Sequence, residues 1–372
     1  LIKITWVGIT TLILMLFLTA LVATASAEEV QLSPEEELGK LLYFDTELST
    51  PRGQSCASCH DPEFGFAEPH QNLPVSQGVL PNMFGNRNSP SAAYASYSPD
   101  FSYTYDDEGQ ILYSGGQFWD GRADNLIEQA KGPFLNPLEM HNPNKITVIQ
   151  NIRISDYAGL FEEVYGPGAL DNVDTAYDYT AEAIAAYESS AEVNKFSSRY
   201  DKYLAGEYTL SEEEKLGLDL FNEKALCSEC HPSSGNEPVF TDFTYDNLGV
   251  PRNPDNLFYS LPKAFNPQKS AYIDLGLGGN GRTEIVTPEN EEGKMKVPTL
   301  RNIGKTAPYT HNGYFDSLEE LVRFYNTRDV ESEGWPAPEV AANVNTEELG
   351  NLELSDAEEK AIVAFLRTLD DE

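Results

Sequence analysis

The sequence predicts a mainly α-helical protein of two similar halves, in which short helices are joined by long loops. Three observations predict it. The pentapeptides Cys56-Ala57-Ser58-Cys59-His60 and Cys227-Ser228-Glu229-Cys230-His231 both read C-x-x-C-H and together use every cysteine of the chain. The segment LSPEEELG from Leu32 to Gly39 recurs as LSEEEKLG from Leu210 to Gly217, each copy a short way before a pentapeptide. Each half then closes on a stretch of helical apolar period.

In chain order, Leu1 to Ala27 holds one charge, Lys3, and the apolar run Thr11 to Ala23. Ala25-Ser26-Ala27 has the small-x-small form that a signal peptidase cuts, and Glu28-Glu29 open a polar region. The run is nearly long enough to be a retained membrane anchor. The clean cut site, with no basic stop-transfer cluster after it, favours a signal peptide over residues 1–27. A first domain over 28–202 and a second over 203–372 follow, with the boundary near Arg199 to Gly206.

Ser33 and Ser211 each precede a glutamate by three residues, Glu36 and Glu214, so both open helices with a capping box. Ser355 with Glu358 opens a third, whose apolar side is Ile362, Val363, Phe365 and Leu366. The matching closing helix of the first half is expected around Ala181 to Glu192, with Ile184, Ala185 and Tyr187 inward. Glu68 to Pro99 and Thr241 to Glu292 are rich in Pro, Gly and Asn and lack periodicity, as cofactor-covering loops do. Little sheet is expected.

The net charge is −35, and −36 without Lys3. That excludes nucleic acid as a partner and attracts basic proteins over a distance. A solvated acidic surface suited to high salt explains the same charge.

In C-x-x-C-H the two thiols can add across the vinyl groups of one haem while the histidine turns onto its iron. A redox C-x-x-C, a zinc site or two disulfides would each leave both histidines as coincidence. The fold is therefore read as two cytochrome c-like haem domains related by internal duplication, carrying two covalent haems c on Cys56, Cys59, His60 and Cys227, Cys230, His231. Covalent haem attachment in bacteria requires export, which agrees with a periplasmic location.

Outside those motifs, Gln117-Phe118-Trp119-Asp120-Gly121-Arg122-Ala123, then Glu128-Gln129-Ala130-Lys131-Gly132-Pro133 and Glu139-Met140, resemble the bacterial dihaem cytochrome c peroxidase family, which includes the MauG proteins. So do Lys296-Val297-Pro298-Thr299-Leu300-Arg301-Asn302, Thr306-Ala307-Pro308-Tyr309 and His311-Asn312-Gly313, and the likeness runs from about Ser33 to Leu369. The resemblance implies a peroxidatic haem in the first domain, facing Gln129, Pro133 and Glu139. A carboxylate such as Glu139 can take a proton from the inner oxygen of hydrogen peroxide and return it to the outer one. It also implies that Trp119 lies between the haems, and that Asn88 with the carbonyls of Thr306 and Pro308 holds calcium, a hard cation suited to oxygen ligands. By composition alone, Trp119 would be a core aromatic, Asn88 a turn residue and Glu139 one surface acid among 60.

In typical peroxidases of the family a methionine fourteen residues beyond the equivalent of His311 ligates the second haem. Here that position is Tyr325, and Met83, Met140 and Met295 all lie elsewhere. Tyrosine there resembles MauG, and a phenolate stabilises oxidised iron. As one of 20 tyrosines, Tyr325 could instead simply pack a helix. Two departures qualify the transfer. His70 does not align with the loop histidine of bis-histidine peroxidases, so the first haem is expected to have an open or water-filled sixth position. The surface tryptophan that MauG uses to draw electrons from its protein substrate is Ala225. The leading expectation is peroxide reduction with electrons from a small, basic periplasmic donor such as a cytochrome c or cupredoxin. The alternatives are MauG-like oxidation of a partner protein and a non-catalytic dihaem electron carrier. Homodimers are common in the family.

Overall fold

A computed structural model describes residues 31–106 and 108–372, so the expected signal peptide lies outside the described residues. The α-helices among them are α1 (Pro34–Phe44), α2 (Leu126–Leu135), α3 (Lys145–Arg153), α4 (Ala158–Tyr165), α5 (Val173–Glu188), α6 (Arg199–Leu204), α7 (Glu212–Asn222), α8 (Leu318–Thr327) and α9 (Asp356–Leu366). Two short antiparallel pairs make up the named strands: β1 (Ser102–Tyr105) with β2 (Ile111–Ser114), and β3 (Tyr245–Asp246) with β4 (Met295–Lys296). No described helix is long and apolar enough to cross a membrane.

The three expected capping boxes form. The Ser33 amide donates to Glu36 at 2.6 Å, and the Ser211 and Ser355 amides to Glu214 and Glu358, each at 2.8 Å. Every one of these serines also accepts the amide of its glutamate, so two otherwise unpaired donors are satisfied at each start. The acids of the first turn sit at the positive end of the helix dipole.

The repeat is visible in the packing. α1 lies against α5 in the first half, and α7 against α9 in the second. Gly39 of α1 meets the Ala183 carbonyl of α5 so closely that a Cβ would overlap it, and Gly217 of α7 meets the Ala361 carbonyl of α9 in the same way. A side chain at either point would push the helix pair apart. Around the first crossing Leu38, Leu42, Tyr43, Phe134, Ile149 and Ile184 form one apolar core. Around the second Phe221, Phe240, Phe315, Phe324, Ile362 and Phe365 form another.

The closing helix of the first half starts eight residues earlier than the sequence suggested, at Val173, and ends at Glu188 rather than Glu192. Asn172 caps it through the Thr175 amide, and Tyr177, Ala181, Ile184 and Glu188 share its buried face. The β-branched and aspartate residues of its first turn masked that start. α6 occupies the segment read as the boundary, and its Tyr200 packs into the second core. Residues 32–372 form one compact unit. Arg301 helps to lock it: the fully buried guanidinium pairs with Asp201 at 2.6 Å, donates to Pro238 O, and lies over the rings of Phe196 and Tyr94.

Candidate active site

Two cavities open beside the two C-x-x-C-H turns. The first, of about 150 Å3, is lined by Cys56, Cys59 and His60 together with Gln129, Pro133 and Glu139. The turn is a short 3-10 helix over Cys56–Ser58, from which the His60 amide bonds back to Cys56 O. His60 Nδ1 lies 2.9 Å from Pro90 O. A carbonyl only accepts, so Nδ1 carries the hydrogen and Nε2 keeps the lone pair for a metal. Burial lowers the pKa of this imidazole, which favours the neutral form a metal requires.

The second cavity, of about 260 Å3, is lined by Cys227, Cys230, His231 and Tyr325. His231 Nδ1 is 2.8 Å from Phe240 O, which fixes the same tautomer in the same way. Burial pushes the thiols of Cys59, Cys227 and Cys230 up to about 12 and that of Cys56 further, so all four are neutral sulfhydryls with apolar walls. They are unbonded to one another. Among the described residues no three His, Cys, Asp or Glu side chains converge as a metal-ligand set. Two cysteines on a turn, a histidine presenting Nε2, and an adjoining apolar cavity are a donor set that fits a covalently held haem in each half.

The wall between the cavities is the loop Gln117–Ala123, and Trp119 lines both sides of it. The Gln117 amide donates to Ala123 O at 2.9 Å to close the loop. Gly121 has φ +66°, and a Cβ there would overlap the Tyr245 hydroxyl. Arg87, its side chain 11% exposed, pairs with Asp120 at 2.6 Å and grips Asp274 through Nε and Nη2. The Trp119 indole N–H donates to Asn88 O at 2.9 Å, and Trp119 O accepts the Lys296 amide at 2.7 Å. The indole is therefore held at its N–H, and the Trp119 backbone at its carbonyl.

In the first cavity the Asn136 amide donates to Glu139 Oε1 at 2.7 Å. Burial raises the carboxyl pKa of Glu139, against an opposing pull from Arg122. Arg122 is itself stacked 3.5 Å over the Phe118 ring. Gln129 and Pro133 stand one helical turn apart on α2, and Pro133 supplies no amide hydrogen to the Gln129 carbonyl. His70 is outside the lining of both cavities, two-thirds exposed and paired with Glu68. Asn88, Thr306 and Pro308 all line the second cavity. The Asn88 amide nitrogen donates to Pro74 O at 3.3 Å, which leaves its side-chain oxygen as an acceptor. Ala225 is buried in the second core, so this position is not on the surface.

A protein-family model described as di-haem cytochrome c peroxidase matches residues 33–209. Across 95% of this chain and 93% of its own length, the methylamine utilization protein MauG of Paracoccus denitrificans is 37% identical over 375 residues. The chain belongs to the dihaem cytochrome c peroxidase family. Members carry two c-type haems and act on peroxide. The cytochrome c551 peroxidase of Pseudomonas aeruginosa is 32% identical over 77% of this chain and 70% of its own. Among solved structures, the diheme peroxidase BthA of Burkholderia thailandensis superposes with a TM-score of 0.78 at 33% identity, covering 92% of this chain and 87% of that one.

Sequence reasoning passed over three polar groups of these cavities. Glu188 of α5 is 6% exposed and lines the first cavity, where burial pushes its pKa up to about 8. It stands where the helical period calls for an apolar residue, which was the available signal. Lys296 lines the second cavity, and burial lowers its pKa to about 7, with Asp120 opposing. Arg122 sits within the quoted motif, but only the fold reveals its pull on Glu139.

Proposed function

We propose that the protein is an exported peroxidase that reduces hydrogen peroxide to water in the first cavity, with electrons from a small periplasmic donor that enter through the second. The observation that supports this reading is that Glu139 and Gln129 face the same cavity as Cys56, Cys59 and His60. A haem, when bound there, supplies an iron that binds peroxide and takes up electrons one at a time. The protein's own part is proton handling. Glu139, kept protonatable by burial and oriented by Asn136, receives the proton from the inner peroxide oxygen and returns it to the outer one as the O–O bond breaks. Gln129 holds the substrate by a hydrogen bond without changing charge. Trp119, fixed between the cavities, carries the electron from one to the other.

In this reading His231 and Tyr325 would both hold the haem of the second cavity, while His60 would hold that of the first and leave an open or water-filled position for peroxide. Asn88 with the carbonyls of Thr306 and Pro308 holds a calcium ion beside the Trp119 loop. The protein acts in the periplasm. A second reading, peroxide-driven oxidation of a residue in a partner protein, is favoured by Tyr325 in the second cavity together with the likeness to MauG. The buried Ala225 weighs against it, because it removes the surface tryptophan route of MauG.

An absorption and EPR spectrum of the resting protein, followed by steady-state peroxide turnover with a reduced cytochrome c, tests the proposal. A high-spin first haem and donor-dependent turnover are expected. Two low-spin haems without turnover would make the protein an electron carrier.

A further inference from the structure

Reducing one peroxide to two waters consumes two electrons and two protons, and the protons must reach a cavity enclosed by protein. We infer that His70, Glu68, Ser76 and Ser89 form a proton relay from solvent to the first cavity, an inference that rests on the peroxidase reading above. The four side chains make an unbroken hydrogen-bonded row. His70 is the outer end, its side chain 67% exposed, and its Nδ1 lies 3.0 Å from Glu68 Oε1. Glu68 is only 2% exposed and accepts at its other oxygen, Oε2, from the Ser76 hydroxyl. Ser76 Oγ is 2.6 Å from Ser89 Oγ, and both serines line the first cavity alongside Glu139. One carboxylate thus has one oxygen toward a surface imidazole and the other toward two hydroxyls that end at the first cavity.

The geometry gives the row a direction. With Glu68 ionised, Ser76 donates to it, and Ser89, whose hydrogen has no nearer acceptor in the row, donates to Ser76, so both hydroxyls point outward. A proton passed from the His70 imidazolium to Glu68 Oε1 neutralises the carboxyl, and rotation of the carboxyl about its Cγ–Cδ bond then turns that O–H toward Ser76. Ser76 then accepts from Glu68 and donates to Ser89, and Ser89 donates into the cavity. Each step breaks one O–H or N–H bond as it forms another, the carboxylate is regenerated, and His70 is reprotonated from solvent. The electrons come from the donor that the peroxidase reaction already requires. A buried carboxylate placed for stability alone would need only one cationic partner. This one is instead shared between solvent and cavity.

The test uses the two-haem protein under saturating donor and peroxide. Ser76→Ala, which removes one oxygen from the middle of the row, is expected to lower kcat about tenfold, with KM for peroxide unchanged and a larger solvent deuterium isotope effect. Ser76→Thr, which keeps the hydroxyl, should restore both. His70→Ala at the surface should lower kcat similarly, and raising the phosphate buffer concentration should recover it, because a diffusible acid can then protonate Glu68. Wild-type kcat and isotope effect in both Ser76→Ala and His70→Ala would overturn the relay and leave the peroxidase reading intact. A wild-type protein inert to peroxide would overturn the peroxidase reading, and the relay with it.

Discussion

Two buried carboxyls on one cavity have different fates. Glu139 has an amide partner in Asn136 and faces the substrate space, so its raised pKa suits a group that must both take and give a proton. Glu139→Gln is expected to lower peroxide turnover by about 10²-fold with both haems still attached. Steady-state kinetics with the haem content checked by absorbance decides it, and near-parental turnover would move the proton chemistry elsewhere. Glu188 has the pKa of about 8 noted above, against an ordinary 4.5. Between those values the folded protein holds a proton that the unfolded chain has lost. Stability therefore falls as pH rises through this window, by up to about 1.4 kcal/mol per pH unit. Glu188→Gln should flatten that slope, gaining most over the parent at and above pH 8. Denaturant unfolding at pH 5 and pH 8 measures it, and parallel pH profiles for the two proteins would refute it.

At the scale of elements, the crossed pairs α1/α5 and α7/α9 depend on glycine where the backbones touch. In an exposed helix Gly→Ala is stabilising by about 1 kcal/mol. At Gly217 the new Cβ overlaps the Ala361 carbonyl and crowds Phe365, so the sign reverses and Gly217→Ala should cost about 1–3 kcal/mol. Thermal unfolding of the variant checks this, and an unchanged or raised Tm would show that the crossing can open without cost. The helix starts at Ser33, Ser211 and Ser355 were legible because a capping box is a local signal, written within four residues. The C-x-x-C-H turns were legible for the same reason. The β1/β2 pair was not: its strands are four residues each, all four positions of β1 are exposed and only Tyr113 of β2 is buried, so no apolar alternation marks them. The relay row was hidden too, because Glu68, Ser76 and Ser89 are ordinary loop residues until the chain folds back. His70 had drawn notice only as a histidine that failed to align.

Across the whole molecule, the proposed chemistry would rest on two cavities that offer different side chains. The first cavity is furnished for proton transfer. The second offers Tyr325 on α8 where a methionine would make an ordinary electron-transfer haem. α8 holds that phenol on the cavity side by burying Leu318, Val322 and Phe324 in the second core. A phenolate is a hard, anionic donor, and it stabilises the oxidised metal more than a neutral thioether does. Tyr325→Met is therefore expected to raise the midpoint potential of the second haem while leaving the first spectrally unchanged. Trp119 lies on the wall common to both cavities, and in the proposed reading it would couple the two sites electronically. In the parent, peroxide added to the fully oxidised protein should draw its two electrons from both sites without prior reduction. In Tyr325→Met the same addition should fail until the second site has been reduced, and Trp119→Phe should uncouple the sites in either background. Spectroelectrochemical titration of the three proteins, followed by stopped-flow mixing with peroxide, reads all of these. A second-haem potential that does not move in Tyr325→Met would show that Tyr325 only packs α8, and would leave a reductively activated peroxidase.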